Sequence, residues 1–205
     1  MVSYLTGRGI DPAIARTYCR EVRYTIGGKE YFAVGFRNDA GGWELRSARF
    51  KGGSSPKHIT TIDNRSDTVI AFEGFMDFLA YLSLKYPERL RIDAAVLNSV
   101  VNLPKAVPFI SRHPVIRTFF DNDEAGRKAT ADLIRLCPRS EVIDQRHFYS
   151  GHKDINDYLI ACIKDRSKTT KTISDKQDHS CRNNLQALKA ERAEIEPPCR
   201  KGVKI

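Results

Sequence analysis

Apolar and polar residues follow two different patterns along the chain. In the first stretch, residues 29–37 and 43–50 are rich in aromatic and apolar side chains, and the turn sequence at 38–42 separates them. Glycines in this turn permit positive φ angles, so the pattern predicts a β-hairpin. A helix is predicted to start at Asp11-Pro12, because proline is favoured at the first helical position. Residues 51–57 are predicted to form a flexible, basic loop.

From about residue 68 the pattern changes: short apolar runs alternate with segments whose apolar residues recur at helical spacing. Strands are predicted at 68–72, 94–98 and 115–120, with a weak fourth at Val142 and Ile143. Helices are predicted over residues 75–85, from Pro104, over 124–136 and over 154–163. Such alternation is typical of a parallel sheet with right-handed crossovers. The predicted fold class is therefore α/β, a four-stranded parallel sheet flanked by helices and preceded by a small α+β subdomain with a β-hairpin.

This pattern divides the chain into three segments. Residues 1–62 form the amino-terminal subdomain with the helix, hairpin and basic loop, and residues 63–163 form the α/β domain. Residues 164–205 are polar and dense in charge, so we expect a basic, mobile tail. A nucleic-acid-binding arm and a simple solvated terminus are both compatible with that tail.

Composition narrows the functional classes. The hydrophobic fraction is 41%, enough for a packed core, and the formal net charge is +9. A basic surface favours a polyanionic partner, although many soluble proteins are basic as well. The five cysteines form no CxxC pair, so neither a disulfide framework nor a zinc ribbon is expected. No signal sequence or membrane-spanning run is visible, which predicts a reduced, cytoplasmic protein without membrane association.

Acidic residues fall at three strand-to-helix junctions of the predicted sheet. Glu73 follows the first strand with Asp77 one helical turn later, Asp121 and Asp123 follow the third, and Asp154 precedes the last helix. Ligands of parallel α/β sheets bind at the carboxyl ends of the strands. Clustered carboxylates repel one another unless a cation lies among them, and Mg²⁺ prefers oxygen ligands. The pattern therefore predicts a magnesium site.

Ordinary structural roles are open for several of these residues. Asp121 and Asp123 could cap the following helix, and Asp77 could complement the dipole of its own helix. Lys153 and Asp154 alone would be an ordinary exposed pair. Glu73 is harder to explain in this way, because it directly follows an apolar strand, where an unpaired carboxylate is costly.

Three motifs together resemble the Toprim domain, which occurs in bacterial and phage primases, topoisomerases and nucleases. They are Glu-Gly-Phe-Met-Asp at 73–77, Asp-Asn-Asp-Glu-Ala-Gly at 121–126 and Lys-Asp-Ile-Asn-Asp at 153–157. The form of the second and third motifs is most similar to the primase branch of the DnaG type. Residues 31–42, with Leu45-Arg46 and Pro56-Lys57, resemble the amino-terminal part of the primase catalytic core.

This resemblance implies roles for individual residues. Glu73 corresponds to a general acid/base or metal-linked carboxylate, and Asp121 and Asp123 to the metal-binding pair. Asp77 corresponds to a further acidic residue of the first motif. Asp154 corresponds to a later carboxylate whose role is also open to Asn156 or Asp157. Basic residues expected to meet nucleotide or DNA phosphates are Arg46, Lys57 and Lys153.

The implied activity is Mg²⁺-dependent nucleotidyl transfer, with Mn²⁺ as a substitute, in primer synthesis on single-stranded DNA from nucleoside triphosphates. The DNA would cross a basic groove between the first two segments. Tyr31, Phe36 and Trp43 are candidates either for base stacking or for ordinary core packing.

The chain has no zinc-ribbon residues, so the resemblance implies a catalytic core that depends on a separate zinc-ribbon protein or a helicase. A phage or another mobile element is the expected origin. Two alternatives stay open: a metal-dependent nuclease, and a non-catalytic DNA-binding accessory protein.

Overall fold

The computed structural model describes residues 2–85 and 90–171, with side chains described as far as residue 166. Two short helices open the chain, α1 (Val2–Gly7) and α2 (Pro12–Tyr18). An antiparallel sheet follows in the order β1-β2-β3-β4. Its strands are β1 (Cys19–Ile26), β2 (Lys29–Arg37), β3 (Trp43–Ser47) and β4 (Phe50–Gly53).

The helix and the hairpin predicted in this part are confirmed. Asp11 caps α2, since its side chain accepts a hydrogen bond from Ala13 N at 2.7 Å. Strands β2 and β3 pair antiparallel, and the Asn38 side chain organises the turn by accepting from the backbone N–H of Gly42 at 2.9 Å. The sequence did not predict β1, whose alternating charges are typical of an exposed strand. It also assigned the glycine-containing strand β4 to a loop.

The second sheet contains the four predicted parallel strands and one more. Its order is β5-β7-β6-β8-β9. The strands are β5 (Thr60–Ile62), β6 (Thr68–Phe72), β7 (Asp93–Val96), β8 (Val115–Phe119) and β9 (Glu141–Asp144). The unpredicted strand β5 runs antiparallel to β7 at the edge, and its three half-buried residues are too few to show an alternating pattern.

Helices cover both faces of this sheet and form two hydrophobic cores. The helices are α3 (Phe75–Lys85), α4 (Leu103–Ile110), α5 (Glu124–Leu136) and α6 (Ile155–Lys171). Side chains of α3 and α6 share one core with α1, α2 and the first sheet, while α4 and α5 pack on the other face. All four were predicted, but α6 continues past residue 163. The expected mobility of the tail falls mostly on residues 172–205, outside the described part, and the predicted segment boundaries stay predictions.

Phe78 of α3 joins the two sheets. Its ring centroid lies 5.0 Å from that of Tyr18, 5.9 Å from that of Phe36 and 5.6 Å from that of Phe72. Tyr18 is the last residue of α2, Phe36 lies on β2, and Phe72 is the last residue of β6, directly before Glu73. Phe78 itself is fully buried. This aromatic contact fixes the first sheet against the edge of the second where the candidate site lies.

Within residues 2–85 and 90–171, none of the helices has the length and hydrophobicity that a bilayer-spanning segment requires. Cys19 and Cys137 are buried free thiols, and burial raises the pKa of the Cys19 thiol to about 12.

We predict that Phe78→Ala lowers the free energy of unfolding by about 3–5 kcal/mol, the usual cost of truncating a buried phenylalanine. Urea denaturation followed by circular dichroism measures this change. Ile134→Ala is the control, because Ile134 is 56% exposed on α5, and it should change stability by less than about 0.5 kcal/mol. Equal losses in the two variants would contradict the joining role of Phe78.

Candidate metal centre

The strand order places two functional loops side by side. From β6 the chain crosses to β7 on one side and then to β8 on the other, so the direction of winding switches between β6 and β8. Phe72 at the end of β6 is opposite Phe119 at the end of β8. The residues that follow, Glu73 and Asp121, therefore emerge at the same edge, where parallel sheets bind their ligands.

Three aspartates converge at this edge. One carboxylate oxygen from each of Asp77, Asp121 and Asp154 lies within 4.8 Å of the other two. Asp77 is buried in the first turn of α3, Asp121 follows β8 and Asp154 immediately precedes α6. The sequence placed Glu73, Asp121 and Asp123 at the centre of the site. The structure instead groups Asp121 with the two aspartates that were predicted as additional ligands.

Asn122 holds the β8–α5 loop against the loop before α6. Its backbone N–H donates to Lys153 O at 2.7 Å, and its side-chain Nδ2 donates to Tyr149 O at 3.1 Å and His152 O at 2.8 Å. The hydroxyl of buried Tyr149 donates to Phe120 O at 2.8 Å. These bonds fix Asp121 next to Asp154 although the two residues are far apart in sequence.

Asp123 has the capping role that the sequence had left open. Its carboxylate accepts a hydrogen bond from Gly126 N at 2.9 Å and caps α5. Glycine is needed at position 126, because a Cβ there would lie 2.1 Å from Asp121 O. Asp123 still contributes to the site electrostatically, since its charge helps to raise the pKa of Glu73.

Burial and mutual repulsion make the aspartates resist ionisation. Burial, followed by the charges of Asp154 and Asp121, raises the pKa of Asp77 well above its ordinary value, and Arg8 only partly opposes this. The pKa of Asp121 is raised by burial first and then by Asp154. Lys153 opposes that rise, with its Nζ 3.4 Å from Asp121 Oδ2.

Glu73 faces the same cluster with one free oxygen. Burial, then the charges of Asp121 and Asp123, raises the pKa of Glu73 to about 7. A backbone hydrogen bond from Asp121 and the charge of Lys51 partly oppose this rise. Glu73 Oε2 is buried and has no hydrogen-bond partner. Carboxylate oxygens that repel one another and include an unpartnered acceptor are a donor set that suits a hard divalent cation.

A cavity of about 710 Å³ opens beside these carboxylates and is bounded on its other side by the first sheet. All three predicted phosphate-binding residues, Arg46, Lys57 and Lys153, line it. The Arg46 guanidinium lies 5.5 Å from the Phe75 ring centroid and donates to Leu45 O at 2.9 Å, while Lys57 Nζ pairs with Glu44 Oε1 at 3.1 Å. Burial lowers the pKa of Arg46.

Sequence reasoning missed three further cavity-lining cations, which are Arg8, Arg49 and Lys51. Arg8 is held from α6 by the two residues left open as alternatives to Asp154. The fully buried Asn156 donates from Nδ2 to Arg8 O at 2.8 Å, and Asp157 Oδ1 lies 3.9 Å from Arg8 Nη2. The third motif, residues 153–157, thus connects the turn after α1 to the acidic cluster.

We predict that Asp77→Asn stabilises the protein when divalent metal is removed. The raised carboxyl pKa values mean that the folded state retains protons that the unfolded chain has lost, so the free energy of unfolding falls as pH rises from about 4.5 to about 7. In EDTA above pH 7 the variant should therefore unfold at a higher temperature than the unaltered protein, and its stability should depend less on pH. Thermal unfolding at a series of pH values measures both effects.

Adding Mg²⁺ should stabilise the unaltered protein but not Asp77→Asn. The control is Asp132→Asn, whose carboxylate pairs only with Arg135 on the surface of α5 among the described residues. It should match the unaltered protein in EDTA and with Mg²⁺. A less stable Asp77→Asn in EDTA would show that the carboxylates do not repel one another.

We also predict that Asn122→Ala weakens metal binding by about tenfold or more, because it frees the loop that holds Asp121 next to Asp154. It should also cost about 1–3 kcal/mol of stability. Isothermal calorimetry with Mg²⁺ gives the affinity. Asn64→Ala is a matched control, since Asn64 Nδ2 donates to Ile92 O at 2.8 Å near the amino end of β7. It should lose similar stability with unchanged metal affinity.

Two family descriptions match the sequence. One reads "Domain of unknown function (DUF8464)" and covers residues 1–55, and the other reads "Toprim-like" and covers residues 70–159. Among curated proteins, none matches the chain.

Several solved structures share the fold. The primase fragment of the bacteriophage T7 primase-helicase protein is 20% identical, with a TM-score of 0.56, over 84% of this chain and 74% of that one. The zinc-binding and RNA polymerase domains of Aquifex aeolicus primase are 14% identical, with a TM-score of 0.52, over 95% of this chain and 67% of that one.

A third similar chain belongs to the structure of bacteriophage T7 lagging-strand DNA polymerase interacting with primase domains of two gp4 subunits bound to an RNA/DNA hybrid and dTTP. It is 21% identical, with a TM-score of 0.56, over 82% of this chain and 90% of that one. The resemblance inferred from the motifs is confirmed at the level of the fold. Residues 70–159 match the Toprim-like family, and the chain shares its fold with these solved primase structures.

Proposed function

We propose that this protein catalyses metal-dependent nucleotidyl transfer on a single-stranded DNA template, the reaction of primer synthesis. One observation carries the proposal. The carboxylates of Asp77, Asp121 and Asp154 line a cavity whose other lining residues include cations from the first sheet and from the loop before α6. A nucleoside triphosphate needs both features, an acidic metal site and positive charge for its remaining phosphate oxygens.

The three aspartates would hold the metal, with Glu73 and Asp123 as further acidic groups beside them. Mg²⁺ is the ion we propose, with Mn²⁺ as a substitute, because every donor in the cluster is a carboxylate oxygen. When bound, the metal supplies Lewis-acid stabilisation of the charge that develops on phosphate oxygens.

Basic residues of the cavity would bind the nucleotide and the template. Lys153 extends from the carboxylate edge and its side chain is 65% exposed, so it can reach a triphosphate without breaking a buried contact. Arg46 approaches from the opposite wall, where its contact with Phe75 limits its orientation. A guanidinium fixed in this way can form paired hydrogen bonds to phosphate oxygens. Lys57 lies farther along the same wall beside Glu44.

Glu73 is suited to accept the proton of the attacking hydroxyl. A group with a pKa of about 7 exchanges protons readily near neutral pH, and Glu73 Oε2 has no competing hydrogen bond. In the proposed step the 3′-oxygen of the primer forms a bond to the α-phosphorus, the bond to pyrophosphate breaks, and the hydroxyl proton passes to Oε2.

The solved structures of similar fold support the choice of reaction and suggest partners. One is part of a primase-helicase protein, and another contains a zinc-binding domain together with an RNA polymerase domain. We therefore propose that a helicase or a separate zinc-ribbon protein assists this chain. We also propose that this chain acts in the cytoplasm.

Asp121→Asn is predicted to reduce primer synthesis to background while leaving the fold intact. The assay supplies labelled single-stranded DNA and nucleoside triphosphates with Mg²⁺ or Mn²⁺, with and without an added zinc-ribbon protein, and circular dichroism checks the fold. Asp132→Asn serves as the control with full activity. Full activity in Asp121→Asn would overturn the site.

Parallel reactions without nucleotides test the alternatives. Metal-dependent shortening of the labelled strand would identify a nuclease. Tight DNA binding without metal binding in calorimetry would identify an accessory protein.

A further inference from the structure

The β1–β2 hairpin extends beyond the rest of its sheet as a two-stranded arm. Strand β3 pairs with β2 only at residues 34–37, so the portion from residue 22 to residue 33 has no third strand beside it. Three large apolar side chains near the end of this arm are exposed: Ile26 by 53%, Tyr31 by 41% and Phe32 by 49%. Apolar groups that gather on a projecting element indicate an interaction surface.

One face of the arm carries connected aromatic rings. Paired residues of adjacent strands point to the same face, and Tyr24 is the partner of Tyr31. Their ring centroids are 5.6 Å apart at an angle of 24°, and the Tyr24 ring lies 5.2 Å from that of Phe50. We call Tyr31, Tyr24 and Phe50 the aromatic ladder. Since Phe50 also lines the cavity of the candidate metal centre, the ladder connects the arm to that cavity.

The two faces of the arm differ in charge. Strand alternation places Arg20 and Lys29 on the ladder face, and no carboxylate between residues 19 and 36 falls on it. The opposite face carries Glu21 and Glu30. There Phe32 is covered by the guanidinium of Arg23, whose Cζ lies 5.3 Å from the ring centroid. Only the ladder face therefore combines exposed aromatic surface with uncompensated positive charge.

We propose that the aromatic ladder binds single-stranded nucleic acid. Unpaired bases stack on Tyr31, while Arg20, Lys29 and, at the cavity mouth, Arg49 contact the phosphates. The half-buried Tyr24, which packs on Phe50, supports the Tyr31 ring from one side, and this reduces the conformational entropy lost on binding. The proposal rests on the proposed function only in taking the bound strand to be the template.

Charge favours a nucleic acid over a protein as the occupant. Bases present an aromatic surface joined to a continuous row of negative charges, and the ladder face offers rings beside cations. Of the aromatic residues considered for stacking from the sequence, Phe36 is only 2% exposed and stacks on Phe75 in the core, with ring centroids 5.2 Å apart. Tyr31 is the one of that set that lies on the ladder.

The test is binding of fluorescently labelled oligo(dT) and oligo(U) to the full chain, measured by anisotropy. Tyr31→Ala should weaken binding by at least about fivefold, the lower end of what the loss of one base–ring stack produces, whereas Tyr31→Phe should retain it. Phe32→Ala is the matched control, because Phe32 is the adjacent residue and similarly exposed but lies on the opposite face. The two oligonucleotides show whether DNA or RNA is preferred.

Salt dependence separates stacking from phosphate contacts. Lys29→Ala should reduce the slope of log affinity against log salt concentration, because one phosphate contact is lost. Tyr31→Ala should lower affinity and leave that slope unchanged. A variant that merely distorts the arm would alter both quantities and its far-ultraviolet circular dichroism.

Three results would overturn the ladder: no measurable binding by the unaltered chain, unchanged binding by Tyr31→Ala, or an equal loss in Phe32→Ala. The last result would indicate that the arm binds oligonucleotides without regard to face. Tyr31-dependent binding without any primer synthesis would overturn the proposed reaction and leave the ladder standing. Primer synthesis together with oligonucleotide binding that does not depend on Tyr31 would overturn the ladder and leave the proposed reaction standing.

Discussion

Repulsion among carboxylates at one sheet edge is the constraint on which the rest of the structure depends. Burial and neighbouring negative charge raise the pKa values of Glu73, Asp77 and Asp121, so each would ionise more easily if the group came apart. The fold prevents separation with rigid contacts. Asn122 connects two loops, and Gly126 lets α5 begin directly against Asp121. Rigid contacts that hold mutually repelling carboxylates together, with raised pKa values, are typical of functional sites.

The same constraint explains why the first sheet is packed where it is. Carboxylates alone would repel an anionic ligand such as the triphosphate that we propose. Apart from Lys153, the cations that line the cavity come from elements outside residues 70–159. Arg46 and Lys51 come from β3 and β4, and Arg8 comes from the turn after α1. Phe78 holds the first sheet in place through a shared core, and the buried Asn156 holds Arg8 through a hydrogen bond to its backbone oxygen. The cavity is thus formed jointly by residues of the first sheet, the turn after α1 and the loops at the edge of the second sheet.

The sequence predicted the helices and strands that have strong periodicity. It did not predict very short strands, or the site contacts that depend on residues far apart in the chain. Strands buried on both faces, such as β6, are continuous apolar runs, and α5 was predicted with its observed ends. Strand β1 was missed because its exposed positions are charged, and β5 because it has three residues. For the site, motif order predicted which loops meet. It did not predict that Asp121 clusters with Asp77 and Asp154 while Asp123 caps α5, because that depends on three-dimensional packing.

The Asp-x-Asp pair shows why capping and site membership are not exclusive. Asp121 comes two residues after the end of β8. Asp123 lies two residues further on, where the backbone turns into α5 and the Asp123 carboxylate accepts a hydrogen bond from the Gly126 N–H. That bond fixes the charge of Asp123 close enough to contribute to the raised pKa of Glu73. A carboxylate can therefore act on a site without joining its cluster. Glu73 remains able to take up a proton near neutral pH because its neighbours are held in place and negatively charged.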